Sequence, residues 1–309
     1  MFTPRVTHIS DMDLVLNMEI NAVGLLSPGD MGHVVGQFLI AHGMPVLTCL
    51  EGRSERTRGL AAKAGIENVP TYDDLVRDAD LILSIMVPGE AVNAARMVAN
   101  SIRNTKETIV YVDCNAVAPD TGREIYRIIR EAKSRYVDAS IIGGPPRREG
   151  ITKFYASGPH VEDFMILKDF GLEIRPLGSE VGQGKGIKMV YGALTKGLTA
   201  ISTQLLMAAF QMGLYDSLES LFEETQGVQL QRMKSAIPNM PNRSRRWVSE
   251  MEEISKTYEA IGITPRTYEG AAEFYRFVGG TSLAEETAET FDRSRTLKQV
   301  VKELCKELP

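Results

Sequence analysis

Cysteine is scarce in this chain, and the few present are far apart. Cys49, Cys114 and Cys305 are an odd number with no C-x-x-C pair among them. That excludes a disulfide scaffold and fits reduced thiols in a cytoplasmic protein. Histidine is equally sparse: His8, His33, His42 and His160 share no metal-ligand spacing with the cysteines, so no metal is expected. No G-x-S-x-G elbow accompanies them, which argues against a serine-hydrolase triad. Positive charge is not in excess. With 35 Lys and Arg against 40 Asp and Glu, the net charge of −5 has the wrong sign for a nucleic-acid partner. No apolar run approaches the roughly 20 residues of a membrane span, so a membrane partner is not expected. Residues 1–20 lack the apolar core of a secretory signal and the arginine richness of a transit peptide, and read as a loosely docked extension.

What remains has two grammars. Over residues 21–183, short β-rich runs ("NAVGLL", "PVLTCL", "DLILSIM", "TIVYVDC", "RYVDASII", "KFYASG", "LEIRPLG") alternate with stretches of helical period such as "DTGREIYRIIREAKS". Several runs are almost continuously apolar, as strands covered on both faces are. The alternation predicts an α/β doubly wound, mostly parallel sheet of Rossmann type. Over residues 184–309 the pattern is helical throughout. It begins with "IKMVYGALTKGLTAISTQLLMAAFQMG", a long helix without a strong breaker that spans the junction to an all-α domain.

The first strand and helix flank "SPGDMG", residues 27–32. A glycine loop at that junction is the context a dinucleotide needs. Gly29 allows close approach of a pyrophosphate, Gly32 allows helix and strand to pack closely, and the first helical N–H groups face the phosphates. Ser27 stands where the first glycine normally makes the tight turn. It is expected to keep a negative φ, with Pro28 stiffening the loop and Asp30 and Met31 completing it. The second strand ends in "CLEGRSERTR", where Glu51 would serve a ribose hydroxyl and Arg53 and Ser54, with Arg56, a 2′-phosphate. The basic set favours NADP, with NAD possible. The alternative is a solvated helix start with Ser54 as its N-cap. Val87 and Pro88, after the fourth strand, are placed in the same cofactor crevice.

These features resemble the β-hydroxyacid dehydrogenase and 6-phosphogluconate dehydrogenase-like superfamily, over nearly everything after residue 20. The family's Asp-x-Ser-Thr-x-x-Pro segment is matched by "DCNAVAP", with Asn115 and Ala116 in the Ser-Thr places. Its Ser-Gly-Gly segment is matched by Ile142, Gly143 and Gly144. Its Gly-x-Gly-x-x-x-Lys-x-x-Asn is matched by Gly182, Gly184 and Lys188, with Tyr191 for the asparagine, while its later Lys-Asp motif has no clear counterpart. Scaffold glycines and the lysine persist where groups that hold a hydroxyacid's carboxylate are replaced. The resemblance implies a divergent branch with its own C-terminal helical domain. It implies an NADP-dependent oxidoreductase acting on a hydroxyl/carbonyl pair of a small molecule, in a homodimer formed through the helical domain. Lys188 would be the general acid/base. Tyr191 would share the proton relay, Asn115 would donate to the substrate oxygen, and Ile142, Gly143 and Gly144 would line the substrate. Imine reduction on the same fold and a non-catalytic NADP sensor are the rival readings, although a sensor has no need of Lys188. Arg147 and Arg148, and the Arg245–Arg246–Trp247 run, are equally well read as solvated or packing residues.

Overall fold

The computed structural model describes residues 19–287 and 290–308. The expected extension lies outside these residues except for Glu19 and Ile20, of which Ile20 is buried.

Eight strands form one sheet in the order β3-β2-β1-β4-β5-β6-β7-β8. Strands β1 (Val23–Leu26), β2 (Val46–Cys49), β4 (Leu81–Ser84) and β5 (Val110–Asp113) are buried at every position, which is why they read as unbroken apolar runs. Strand β3 (Glu67–Val69) was not foreseen, because two of its three residues are exposed and polar. Strand β6 (Arg135–Ile142) continues the parallel run, β7 (Lys153–Ser157) turns back antiparallel to it, and β8 (Glu173–Gly178) pairs parallel with β7.

Helices cover both faces. On one, α1 (Gly32–Ala41), α2 (Glu55–Ala64) and α6 (Val161–Met165) bury Val35, Leu39, Ala61 and Phe164 against Leu25, Val112 and Phe154. On the other, α3 (Tyr72–Asp78), α4 (Ala91–Thr105) and α5 (Pro119–Glu131) bury Leu75, Val98, Ile102, Ile125 and Ile129 against Ile82, Tyr111 and Tyr136. The strand order reverses direction between β1 and β4. In open α/β sheets, ligands bind at that point, beyond the carboxyl ends of the strands.

The second half is helical. Helix α7 (Gln183–Gln211), 29 residues long, starts against β6 and β7 and runs on into α8 (Tyr215–Thr225), α9 (Gly227–Ala236), α10 (Ser244–Ala260), α11 (Arg266–Gly279) and α12 (Leu297–Lys306). Its internal glycines mark close approaches. A Cβ at Gly184 would lie 2.5 Å from the Asp138 carbonyl oxygen, and one at Gly192 would lie 3.1 Å from Ile254. Leu206, Met251, Tyr275, Val278 and Val301 form the separate core of this half. No described helix is long and apolar enough to cross a membrane.

Candidate active site

The loop between β1 and α1 is a tight cradle. Ser27 has a φ of +63°, contrary to the negative value expected from the sequence. The turn still needs the left-handed geometry that glycine usually provides, and a serine adopts it at a cost. The N–H of Gly29 donates to the Ser27 carbonyl at 2.7 Å, and His33 holds the Gly29 carbonyl through its own N–H at 3.0 Å and its Nδ1 at 2.6 Å. A Cβ at Gly32 would lie 2.5 Å from the Ser27 carbonyl oxygen, so that position must be glycine, whereas a Cβ at Gly29 would meet nothing nearer than 4.0 Å. Pro28 is buried beneath the loop, and Met31 packs against the core. Among the described residues, the N–H groups of Asp30 and Met31 make no hydrogen bond. Open space above Gly29 and unpaired N–H groups at a helix start fit a pyrophosphate.

The end of β2 carries the charges. Ser54 is the N-cap of α2, accepting the N–H of Thr57 at 3.3 Å, so the solvated-helix alternative describes this side chain. Arg53 donates to the Tyr72 hydroxyl at 2.9 Å, while its Nε is buried without a hydrogen-bond partner. Arg56 reaches across to Asp30 of the glycine loop at 2.5 Å. Glu51 is exposed in the turn before them. In this kind of fold the end of the second strand is where a dinucleotide's adenine ribose is held. These residues fit such a group, with Arg53 and Arg56 offering donors to it.

Val87 stands exposed just ahead of the Pro88–Glu90 turn, which touches α10. Asn115, after β5, is buried and fully engaged. Its amide oxygen accepts the Met86 N–H at 2.6 Å, and its Nδ2 donates to Ser84 Oγ at 2.9 Å and Asp113 Oδ1 at 2.7 Å. In this arrangement it ties the β4 and β5 loops together. At the end of β6, Ile142 is buried and Gly143 has a φ of +112°. A Cβ at Gly143 would strike the Ile151 carbonyl oxygen at 2.2 Å. Gly144 offers its carbonyl to the Thr152 hydroxyl at 2.5 Å.

Helix α7 brings the lysines. The amino end of α7 is closed by Asp138 of β6, whose Oδ2 accepts the N–H of Gly182 at 2.7 Å and of Gly184 at 3.1 Å. Lys188, one turn on and mostly sheltered, donates from Nζ to the Ile141 carbonyl at 2.6 Å. Burial pushes its pKa down to about 8, helped by the ammonium of Lys196 and the charges of Arg246 and Lys185, and opposed by Glu250. Glu250 of α10 pairs with Lys196 at 2.8 Å and with Arg246 at 3.5 Å. Burial raises its carboxyl, but Lys196, Lys188 and Arg246 outweigh that and hold it below the ordinary glutamate range. Lys196 also lies 5.7 Å above the Trp247 ring. Three cations therefore gather around a single carboxylate where α7 meets α10.

Tyr191, three residues beyond Lys188, is half exposed and lines a cavity of about 780 Å³ between α7 and α9 with Leu194, Val228 and Met233. Lys188 takes no part in that lining. The sequence reading missed Lys185 and Glu250. Lys185 stands beside the motif lysine, but only the fold shows it buried. Glu250 lies in "RRWVSEMEEI", where helical period alone does not say which acid faces inward. Among the described residues no group of three or more metal-ligating side chains gathers.

With fold and geometry in place, comparison with known proteins defines the class. Residues 20–168 match the model described as the NAD binding domain of 6-phosphogluconate dehydrogenase, and residues 209–278 match a domain of unknown function, DUF1932. An uncharacterized 28.5 kDa protein of Methanothermus fervidus is 33% identical over 244 residues, covering 79% of this chain and 93% of that one. A conserved protein of unknown function, reported as structurally similar to 3-hydroxyacid dehydrogenases, aligns with a TM-score of 0.65 at 29% identity, covering 84% of this chain and 96% of that one. The Mycobacterium tuberculosis 3-hydroxyisobutyrate dehydrogenase, solved with L-serine, aligns with a TM-score of 0.67 at 15% identity over 93% and 99% of the two chains, which shows a shared fold. The chain belongs to the 6-phosphogluconate dehydrogenase-like and β-hydroxyacid dehydrogenase superfamily, in a divergent branch with its own C-terminal helical domain. It carries an NAD-binding fold of the dehydrogenase kind.

Proposed function

We propose that this chain is an NADP-dependent oxidoreductase that interconverts a hydroxyl and a carbonyl on a small molecule, with Lys188 as the general acid/base. One observation carries the reading: a sheltered ammonium held on the Ile141 carbonyl near the carboxyl end of β6, where burial and neighbouring cations bring its pKa down to about 8. A general acid works best when its pKa lies near the working pH.

When bound, the cofactor would supply the hydride as NADPH and accept it as NADP+ in the reverse direction. The chain does the rest. The glycine loop and the first turn of α1 hold the phosphates, while Arg53 and Arg56 favour the 2′-phosphate of NADP over the bare ribose of NAD. In reduction the Lys188 ammonium gives a proton to the substrate oxygen as negative charge develops there. In oxidation the neutral amine removes it. The neighbouring cations Lys196 and Arg246, with only Glu250 between them, favour a substrate that carries an acid group. They come from α7 and α10 and not from the β5 and β6 segments, where the replaced family residues lie.

Retention of this tuned lysine favours catalysis over cofactor sensing. We further propose that it works in the cytoplasm as a homodimer joined through its helical half. Trp247 is the sole tryptophan, so energy transfer from it to NADPH reports binding. Tighter titration by NADPH than by NADH, with turnover on hydroxy or oxo acids, is the expected result. Lys188→Ala should bind NADPH normally and lose about 10²- to 10⁴-fold in turnover. Full turnover by this variant, or turnover confined to cyclic imines, would overturn the reading.

A further inference from the structure

Asp113 and Asp138 are register partners on β5 and β6, so two carboxylates stand side by side with no exposed surface. Like charges in a dry interior repel strongly. Lys185, itself without exposed surface, enters between them from the first turn of α7. Its Nζ lies 3.2 Å from Asp113 Oδ2 and 3.6 Å from Asp138 Oδ1, and it donates to the carbonyls of Asp113 at 2.6 Å and Ala139 at 2.8 Å. A space is left for it on α5, where a Cβ at Gly122 would lie 3.1 Å from Lys185 Cγ. Asp138 Oδ1 has no hydrogen-bond partner among the described residues, so this ammonium is the counter-charge that it faces.

Lys185 and Lys188 are three apart on one helix, and they reach the carbonyls of Ala139 and Ile141, two apart on one strand. Residues i and i+3 share a helix face, and alternate strand residues repeat in orientation, so the two grips match in period. We propose that Lys185 is the positioning residue of the site: its ammonium pins the start of α7 to β5 and β6, and so holds Lys188 in its sheltered seat on Ile141. The charged groups facing Lys188 are Lys185 and Lys196 from α7 and Arg246 and Glu250 from α10, while β6 presents the Ile141 carbonyl. With the seat lost, the shelter that depresses Lys188 is lost with it.

This inference rests on Lys188 as the proton donor, yet its test needs no substrate. The full-length protein is labelled with trace acetic anhydride from pH 6 to 11, and acetylation of Lys188 is followed by peptide mass. Wild type is expected to show a midpoint near 8. In Lys185→Met the midpoint should rise by about one unit or more towards the ordinary lysine value, which lowers reactivity at pH 7 about tenfold. Should two uncompensated carboxylates prevent folding, Lys185→Met/Asp113→Asn removes one charge of each sign and should show the same rise. A purely structural role would lower the melting temperature and move the midpoint by no more than loss of the Lys185 charge, the smallest of the named influences on Lys188, accounts for. A midpoint still near 8 in whichever of these variants folds overturns the proposal, as does an ordinary lysine midpoint in wild type. Undiminished turnover by Lys188→Ala, in contrast, removes the catalytic reading while leaving the labelling result to judge Lys185.

Discussion

The carboxylate of Glu253, on α10, accepts the N–H of Ala118 at 2.7 Å, at the residue that caps α5 in the nucleotide-binding half. The same oxygen accepts the Thr121 hydroxyl at 3.3 Å. A side chain of the helical half thus satisfies the free amino end of a helix 132 to 135 residues earlier in the chain. It also holds α10, with Arg246 and Glu250, beside the β5 loop. A charged partner at this end gains from the helix dipole as well as the hydrogen bonds. Glu253→Ala should leave a buried N–H unpaired and destabilise the fold by about 1–3 kcal/mol in urea unfolding. Wild-type stability in this variant would show that the two halves are held by packing alone.

The direction of the pH dependence follows from the depressed Lys188. Carbonyl reduction needs the ammonium, so kcat/KM for reduction should be level at low pH and fall as pH rises through about 8. Alcohol oxidation needs the amine and should rise through the same range. Stability moves with it. A lysine whose folded pKa lies below its unfolded value binds fewer protons in the native state between those two values, so this residue's contribution to unfolding free energy rises with pH from about 8 towards the ordinary lysine pKa. Lys188→Met should remove both the kinetic limb and that slope. Steady-state rates and urea midpoints across pH 7–11 measure the two effects.

The cofactor loop separates shape from strain. Gly32→Ala would place a methyl 2.5 Å from the Ser27 carbonyl oxygen, so the loop must shift. NADPH binding read through Trp247 should be lost or sharply weakened. Ser27→Gly acts the other way. It relieves a left-handed serine and should raise stability by about 1 kcal/mol, with binding retained. Calorimetric melting of both variants checks the signs.

Val190, Leu194 and Ile201 of α7, Leu221 of α8 and Val228 of α9 are exposed apolar side chains on the helical half proposed to join two copies. Val228 is 75% exposed at the edge of the cavity that Leu194 and Met233 line, and clustered exposed apolar groups suit a protein partner. Light scattering on a sizing column should give twice the chain mass. Val228→Glu with Leu194→Glu should give the chain mass, because two buried charges per copy oppose closure. A single-chain mass for wild type would remove the dimer.

Much of the fold could be read along the chain. Both-face burial makes β1, β2, β4 and β5 continuous apolar runs, and the alternation with helical period made the sheet legible. The three-residue β3 was not, because backbone pairing with β2 and not apolar burial defines it. Lys188 was marked by its register after Gly182 and Gly184. Its neighbours Lys196, Arg246 and Glu250 come from α7 and from a helix more than fifty residues away, and no local pattern announces that meeting. Asn115 looked like a free donor beside the substrate. The folded chain gives both of its amide hydrogens to Ser84 and Asp113.

By itself the sequence determined what local chemistry dictates: a strand-to-helix turn with a glycine at residue 32 for close packing, strands apolar enough to be buried, and a lysine in register at the head of a long helix. Tertiary structure decided the rest. It chose a left-handed Ser27 because Gly32 packs onto its carbonyl. It turned two acids on neighbouring strands and a lysine some fifty to seventy residues later into one buried cluster. Charge in a dry interior is set by what stands within a few ångströms, and that distance is a property of the fold, not of spacing along the chain.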